Sequence, residues 1–200
     1  MTNVTVLLFD GFTALDAVGP LDVLGRLEGY AIRWASLAGG PVSGSPGLTV
    51  ETEALSARDK SDILLIPGGL DTRKLAGDTC FLAALQKAIA ASSLVMTVCN
   101  GSALAAAYGA LDGRHATGNK KAFTWTMSVG PNVLWEKDAR WTKDGKFYTA
   151  AGVSAGMDMA LGYAADRFGT DKARSLAANM EYRWNDRAED GWCFLAKNGK

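Results

Sequence analysis

Cys99 is the residue of this sequence best placed to do chemistry. It follows the apolar run Leu94-Val95-Met96-Thr97-Val98 and precedes Asn100-Gly101-Ser102, with Thr97 and Gly101 two positions to either side. A strand that reverses sharply into a helix needs small residues there, because larger side chains would collide at the turn. This is the pattern of a nucleophile elbow carrying sulfur in place of serine. The amino end of the following helix is expected to favour the thiolate and lower its pKa. The competing reading of any free cysteine is a small buried hydrophobe. Cys80, near a helix start, and Cys193, between Trp192 and Phe194, are read as packing residues.

Two further segments carry groups that suit such a sulfur. Pro67-Gly68-Gly69 can bring bare backbone N–H groups close to a ligand, so the Gly69 or Leu70 N–H, paired with that of Asn100, forms a candidate oxyanion hole. Asp16 sits in the mostly apolar stretch Ala14-Leu15-Asp16-Ala17-Val18-Gly19-Pro20. Poor solvation there raises a carboxyl pKa and suits it to donate or shuttle a proton. A helix N-cap is the alternative role for Asp16, and the stretch alone leaves both open. Asp10, before Gly11, reads as a turn residue.

These groups must be positioned by alternating strands and helices. Strands are expected at residues 4–9, 30–37, 63–66 and 94–98, with a small edge strand at 48–53. Helices are expected over about 20–27 and 81–91, from near Gly101, from a Ser154 cap, and from an Asp171 cap to about Tyr182. Segments around 139–141 and 146–148 flank Lys143-Asp144-Gly145 as a hairpin. Continuous apolar strands between helices predict one α/β domain over residues 1–200, a doubly wound, mostly parallel sheet covered on both faces. Ligands bind such sheets at the carboxyl ends of the strands. That rule selects residues 10–16, 67–70 and 99–102, which converge if their strands are neighbours.

Composition narrows the function. With 21 Lys+Arg against 21 Asp+Glu the formal net charge is zero, which argues against nucleic acid or a membrane surface as partner. No apolar run approaches the ~20 residues of a membrane span, and Met1-Thr2-Asn3-Val4 lacks the features of a secretion signal. Three sparse cysteines fit free thiols, so a cytoplasmic location is expected. His115 is the only histidine and no Cys-x-x-Cys pair is present, so no metal site is expected.

The segments taken together resemble the ThiJ/PfpI superfamily over nearly the whole chain, most closely its isocyanide hydratase branch. Leu8-Phe9, Leu15-Asp16, Gly19-Pro20 and Asp22-Val23-Leu24 match the opening motif of that branch. Ile66-Pro67-Gly68-Gly69, Val98-Cys99-Asn100-Gly101-Ser102 and the run from Gly152 through Ser154 to Asp158 are similar to later ones. The resemblance implies a flavodoxin-like sandwich of the class I glutamine-amidotransferase type. It implies Cys99 as nucleophile, Asp16 as its acid/base partner, and charge stabilisation by the N–H groups of Gly69 and Asn100. The implied reaction is hydration of an isocyanide to an N-substituted formamide, a small-molecule substrate, without metal or organic cofactor. A homodimer is implied in the same way.

Departures from that pattern bear on the site. Asn100 stands where the branch usually has threonine. The superfamily often carries histidine near the elbow, where Ala116-Thr117-Gly118-Asn119 ends in asparagine. His115 lies four residues earlier, about 13 Å away in an extended segment, and reads as a surface or strand-end residue. Asn119 and Trp125 are candidate substrate contacts, while Lys120 and Lys121 read as a solvated pair. Carbonyl-directed relatives of the glyoxalase or deglycase type use glutamate where Asp16 stands, and the shorter aspartate favours hydration. A third reading is a non-catalytic binding or redox-sensing protein in which Cys99 merely oxidises. No DNA-binding module is expected, because the chain ends soon after its last helix.

Overall fold

A computed structural model describes residues 1–56 and 60–189. Cys193 and Trp192 therefore lie outside the described residues. The elements run β1 (Thr2–Leu7), α1 (Ala14–Leu24), β2 (Tyr30–Ser36), β3 (Gly40–Gly44), β4 (Leu48–Ala54) and β5 (Ser61–Ile66). They continue with α2 (Thr72–Leu75), α3 (Thr79–Ala91), β6 (Ser92–Val98), α4 (Gly101–Ala107), β7 (His115–Ala116) and α5 (Phe123–Val129). The last are β8 (Leu134–Trp135), β9 (Trp141–Asp144), β10 (Phe147–Ala150), α6 (Ala155–Phe168) and α7 (Thr170–Asn179).

Eight strands form one sheet in the order β3-β4-β2-β1-β5-β6-β10-β9. Every pair from β4 to β10 is parallel, and only β3 and β9 at the two edges run antiparallel. The central strands are apolar on both faces because helices cover both. Val4, Val6, Leu7, Ile63, Leu65, Val95, Met96 and Val98 are all buried in one continuous core. The flavodoxin-like, doubly wound architecture is as the sequence implies. No helix among the described residues is long and apolar enough to cross a membrane.

Several elements differ from expectation for identifiable reasons. Helix α1 begins at Ala14, six residues before the expected start, and carries Pro20 inside it. The segment 48–53 lies second from the edge, because β3 pairs outside it. Strand β3, Gly-Pro-Val-Ser-Gly, is not among the expected strands, and it tolerates Pro41 because one side of an edge strand needs no donor. Ser154 stands at the N-cap of α6 but makes no capping bond; its hydroxyl accepts from Arg140 instead. Gly169, not Asp171, flanks α7, and Asp171 lies in its first turn. The hairpin of β9 and β10 forms around Gly145 as expected.

Candidate active site

The strands β1, β5 and β6 are neighbours, so the three expected segments do meet at their carboxyl ends. The loop after β1 is stitched to the loop after β5. The Thr13 N–H donates to the Gly68 carbonyl at 2.9 Å and the Leu70 N–H to the Gly11 carbonyl at 3.0 Å. These bonds fix the start of α1 against Pro67-Gly68-Gly69. Asp16 then falls in the first turn of α1, fully buried. Its Oδ2 accepts the Gly68 N–H at 3.0 Å, so Asp16 binds another loop and does not cap its own helix.

Cys99 forms the elbow. It is a non-glycine residue at φ 60, a left-handed conformation that costs an ordinary residue free energy and is kept only where the surroundings impose it. Its N–H donates to the carbonyls of Ala150 and Ala151 at 3.1 and 2.8 Å, and its carbonyl accepts the Asn119 N–H at 3.3 Å. The small residues around it are required by contact. A Cβ on Gly101 would lie 2.3 Å from the Ile66 carbonyl oxygen, and one on Gly68 would lie 2.6 Å from the Asn100 nitrogen. Gly101→Ala is expected to cost at least about 2 kcal/mol in chemical denaturation, since the clash is with backbone. An unchanged denaturation midpoint would show that the elbow has slack.

The sulfur and the carboxyl adjoin one another, and each changes the other's titration. Burial pushes the Cys99 thiol up to about 12, and the nearby Asp16 carboxylate adds to that rise by charge and hydrogen bonding. Hydrogen bonds from Asn119 and from the Asn100 N–H pull the other way without winning. The expected lowering of the thiol is therefore overturned, because desolvation and the carboxylate outweigh the dipole of the seven-residue helix α4. Asp16 is raised to about 6, as expected, by burial, against the Gly68 N–H and the thiol. A negative charge on Asp16 therefore opposes ionisation of the neighbouring thiol.

Asp158, the other aspartate fully buried among the described residues, shows what a carboxylate saturated with donors looks like. Its Oδ2 accepts from Arg140 and its Oδ1 from Tyr182 and Asn185. Asp16 Oδ1, by contrast, is buried with no N–H or O–H donor among the described residues. Asn100 Oδ1 is likewise buried without a donor.

The oxyanion candidates separate. The Leu70 N–H is already committed to the Gly11 carbonyl and the residue is 80% exposed, so Leu70 leaves the set. The Asn100 N–H bonds the sulfur. Gly69 keeps an N–H without an acceptor among the described residues, between the two bonds that stitch the loops.

Asn119 touches the nucleophile itself: its Nδ2 donates to Cys99 Sγ at 2.9 Å. From sequence Asn119 is expected against substrate, and its contact with the sulfur is not legible there, because nothing in residues 116–119 says that their strap folds back over β6. Lys120 is no solvated cation, since its Nζ donates to Thr117 Oγ1 at 2.7 Å and to the Ala139 carbonyl at 2.6 Å. Trp125 is half-buried under the Arg73 guanidinium, 4.4 Å from the ring centroid. His115 is an exposed strand residue paired with Glu136 at 2.7 Å, the surface position expected of it. Cys80, expected to pack, is exposed beside a cavity of about 320 Å³ between α3 and the amino ends of β5 and β6.

A buried thiol on a strand-to-helix elbow, at the carboxyl ends of a doubly wound sheet and beside a buried carboxyl, defines a class of α/β protein with a cysteine site. The chain belongs to the DJ-1/PfpI family, whose pattern it matches over residues 2–166. It is similar to the isonitrile hydratase of Pseudomonas putida, at 32% identity over 179 residues covering 88% of this chain and 76% of that one. A ThiJ/PfpI family protein from Pseudomonas syringae superposes with TM-score 0.82 at 29% identity, covering 90% of this chain and 75% of that one. DJ-1beta of Drosophila melanogaster shares the fold, with TM-score 0.78 at 22% identity over 92% of this chain and 99% of that one.

Proposed function

We propose that the chain is a cysteine-dependent hydratase that adds water to an isocyanide and releases an N-substituted formamide. What supports this reading is the geometry of the buried Cys99 thiol lying against the buried Asp16 carboxyl, which is itself held by the Gly68 N–H. The similarity to an isonitrile hydratase supports the choice of substrate.

Atoms balance through that pair. As Cys99 sulfur adds to the terminal isocyanide carbon, Asp16 takes the thiol proton and passes it to the same carbon. The product of this half is a thioimidate, R–N=CH–S–Cys99. Water then adds to the carbon while Asp16 accepts one of its protons and returns it to nitrogen, giving R–NH–CH(OH)–S–Cys99. Expulsion of the sulfur, which regains its proton from the hydroxyl, leaves R–NH–CHO and free thiol. Gly69 N–H is the donor proposed to meet developing charge on the bound carbon's substituents. The same reading takes the protein as a cytoplasmic homodimer without metal or organic cofactor; sedimentation velocity tests the dimer.

The deciding experiment is a panel of aryl and alkyl isocyanides beside methylglyoxal, followed by product analysis. Formamide formed over many equivalents supports the hydratase. Turnover of methylglyoxal alone replaces it with a carbonyl enzyme. Consumption that stops near one equivalent, with ready oxidation of Cys99, replaces it with a redox sensor.

A further inference from the structure

Asn119 is held through its backbone N–H and both polar atoms of its side chain. Its backbone N–H holds the Cys99 carbonyl at 3.3 Å and its side-chain Nδ2 holds Cys99 Sγ at 2.9 Å. Its Oδ1 accepts the N–H groups of Lys121 and Ala122 at 2.9 and 3.1 Å, which fixes which end of the amide faces the sulfur. The surrounding strap is pinned too. Thr117 N–H donates to Thr149 Oγ1 at 2.7 Å, Thr117 Oγ1 to the Glu136 carbonyl at 2.7 Å, and Lys120 clasps the same threonine. Gly152 leaves room for the amide, since a Cβ there would lie 3.2 Å from Asn119 Nδ2.

We propose that Asn119 is the positioning residue of the thiol: a locked amide donor that aims Cys99 sulfur and carries its negative charge both as it attacks and as it departs. An amide N–H can give a hydrogen bond but cannot take a proton at neutral pH. Asn119 therefore supplies charge stabilisation without competing with Asp16 for the thiol proton. Sulfur is anionic twice in any addition–elimination at Cys99, so one fixed donor serves both steps.

The test isolates the donor from the strap. Asn119→Asp keeps an oxygen to accept from Lys121 and Ala122 and replaces only the group facing sulfur. Alkylation of Cys99 by iodoacetamide, followed by mass spectrometry across pH, needs no assumption about substrate. Asn119→Asp is expected to slow alkylation at pH 8 by about 10–100-fold and to move its pH midpoint upward, with the thermal unfolding midpoint preserved. Asn119→Ala is expected to slow it less, because it removes a donor without adding a charge. Alkylation with the wild-type rate and pH profile in both variants would overturn the role. So would a loss explained by unfolding in Asn119→Asp accompanied by a wild-type profile in Asn119→Ala. Failure of the chain to hydrate isocyanides leaves these alkylation outcomes standing, so the two readings fail separately.

Discussion

Cys99→Ala is expected to reduce isocyanide hydration to the uncatalysed background, a loss of at least about 10⁴-fold in kcat/KM. Among the described residues neither His115, paired with Glu136 on the surface, nor Ser102, whose Oγ shares a hydrogen bond with Thr97 Oγ1 at 2.7 Å, is poised to replace it. The change keeps the Cβ that packs against Gly68 and removes one sulfur that is almost wholly buried. Stability is therefore expected to change by no more than about 1 kcal/mol, and circular dichroism separates lost chemistry from lost fold. Formamide production within tenfold of wild type would remove Cys99 from the mechanism.

Asp16→Asn produces three effects of different sign. Hydration is expected to fall by about 10²–10⁴-fold, because a neutral amide cannot carry the proton between sulfur, carbon and water. Alkylation of Cys99 is expected to speed up, because the carboxylate that opposes thiolate formation is gone. Stability is expected to rise at neutral pH. The folded carboxyl titrates at about 6 against an ordinary 3.8, so the folded chain holds its proton more tightly than the unfolded chain. Stability from Asp16 is then greatest below about pH 4 and declines as pH rises to about 6, by about 3 kcal/mol in all. Asn can still accept the Gly68 N–H, so Asp16→Asn escapes that decline. Denaturation at pH 4 and pH 7 checks the sign: the variant's advantage is expected at pH 7 and absent at pH 4. Full hydration activity in Asp16→Asn would refute the assigned role outright.

The central strands are legible because burial on both faces leaves a continuous apolar run, as in Ile63-Leu64-Leu65-Ile66, with little else such a run can be. The elbow is legible because Gly101 and Gly68 answer local steric demands within a few residues of Cys99. The start of α1 is not, because Thr13 and Ala14 are held by bonds to Gly68 and Ser45, distant in sequence. Edge strand β3 is hidden for the same reason, its glycines and proline being tolerated only because it pairs on one side with β4.

Residue type and strand-end position by themselves placed a thiol, a carboxyl and a glycine loop at one end of a parallel sheet, since periodicity and sheet topology are local and general constraints. Only the tertiary structure decided how those groups titrate and who touches them. Desolvation depends on everything packed around the sulfur, and it reversed the effect of the short helix behind it. The Asn119 amide reaches Cys99 across 20 residues of chain, and contact at that separation is set by how the strap folds back, not by any pattern in the strap itself.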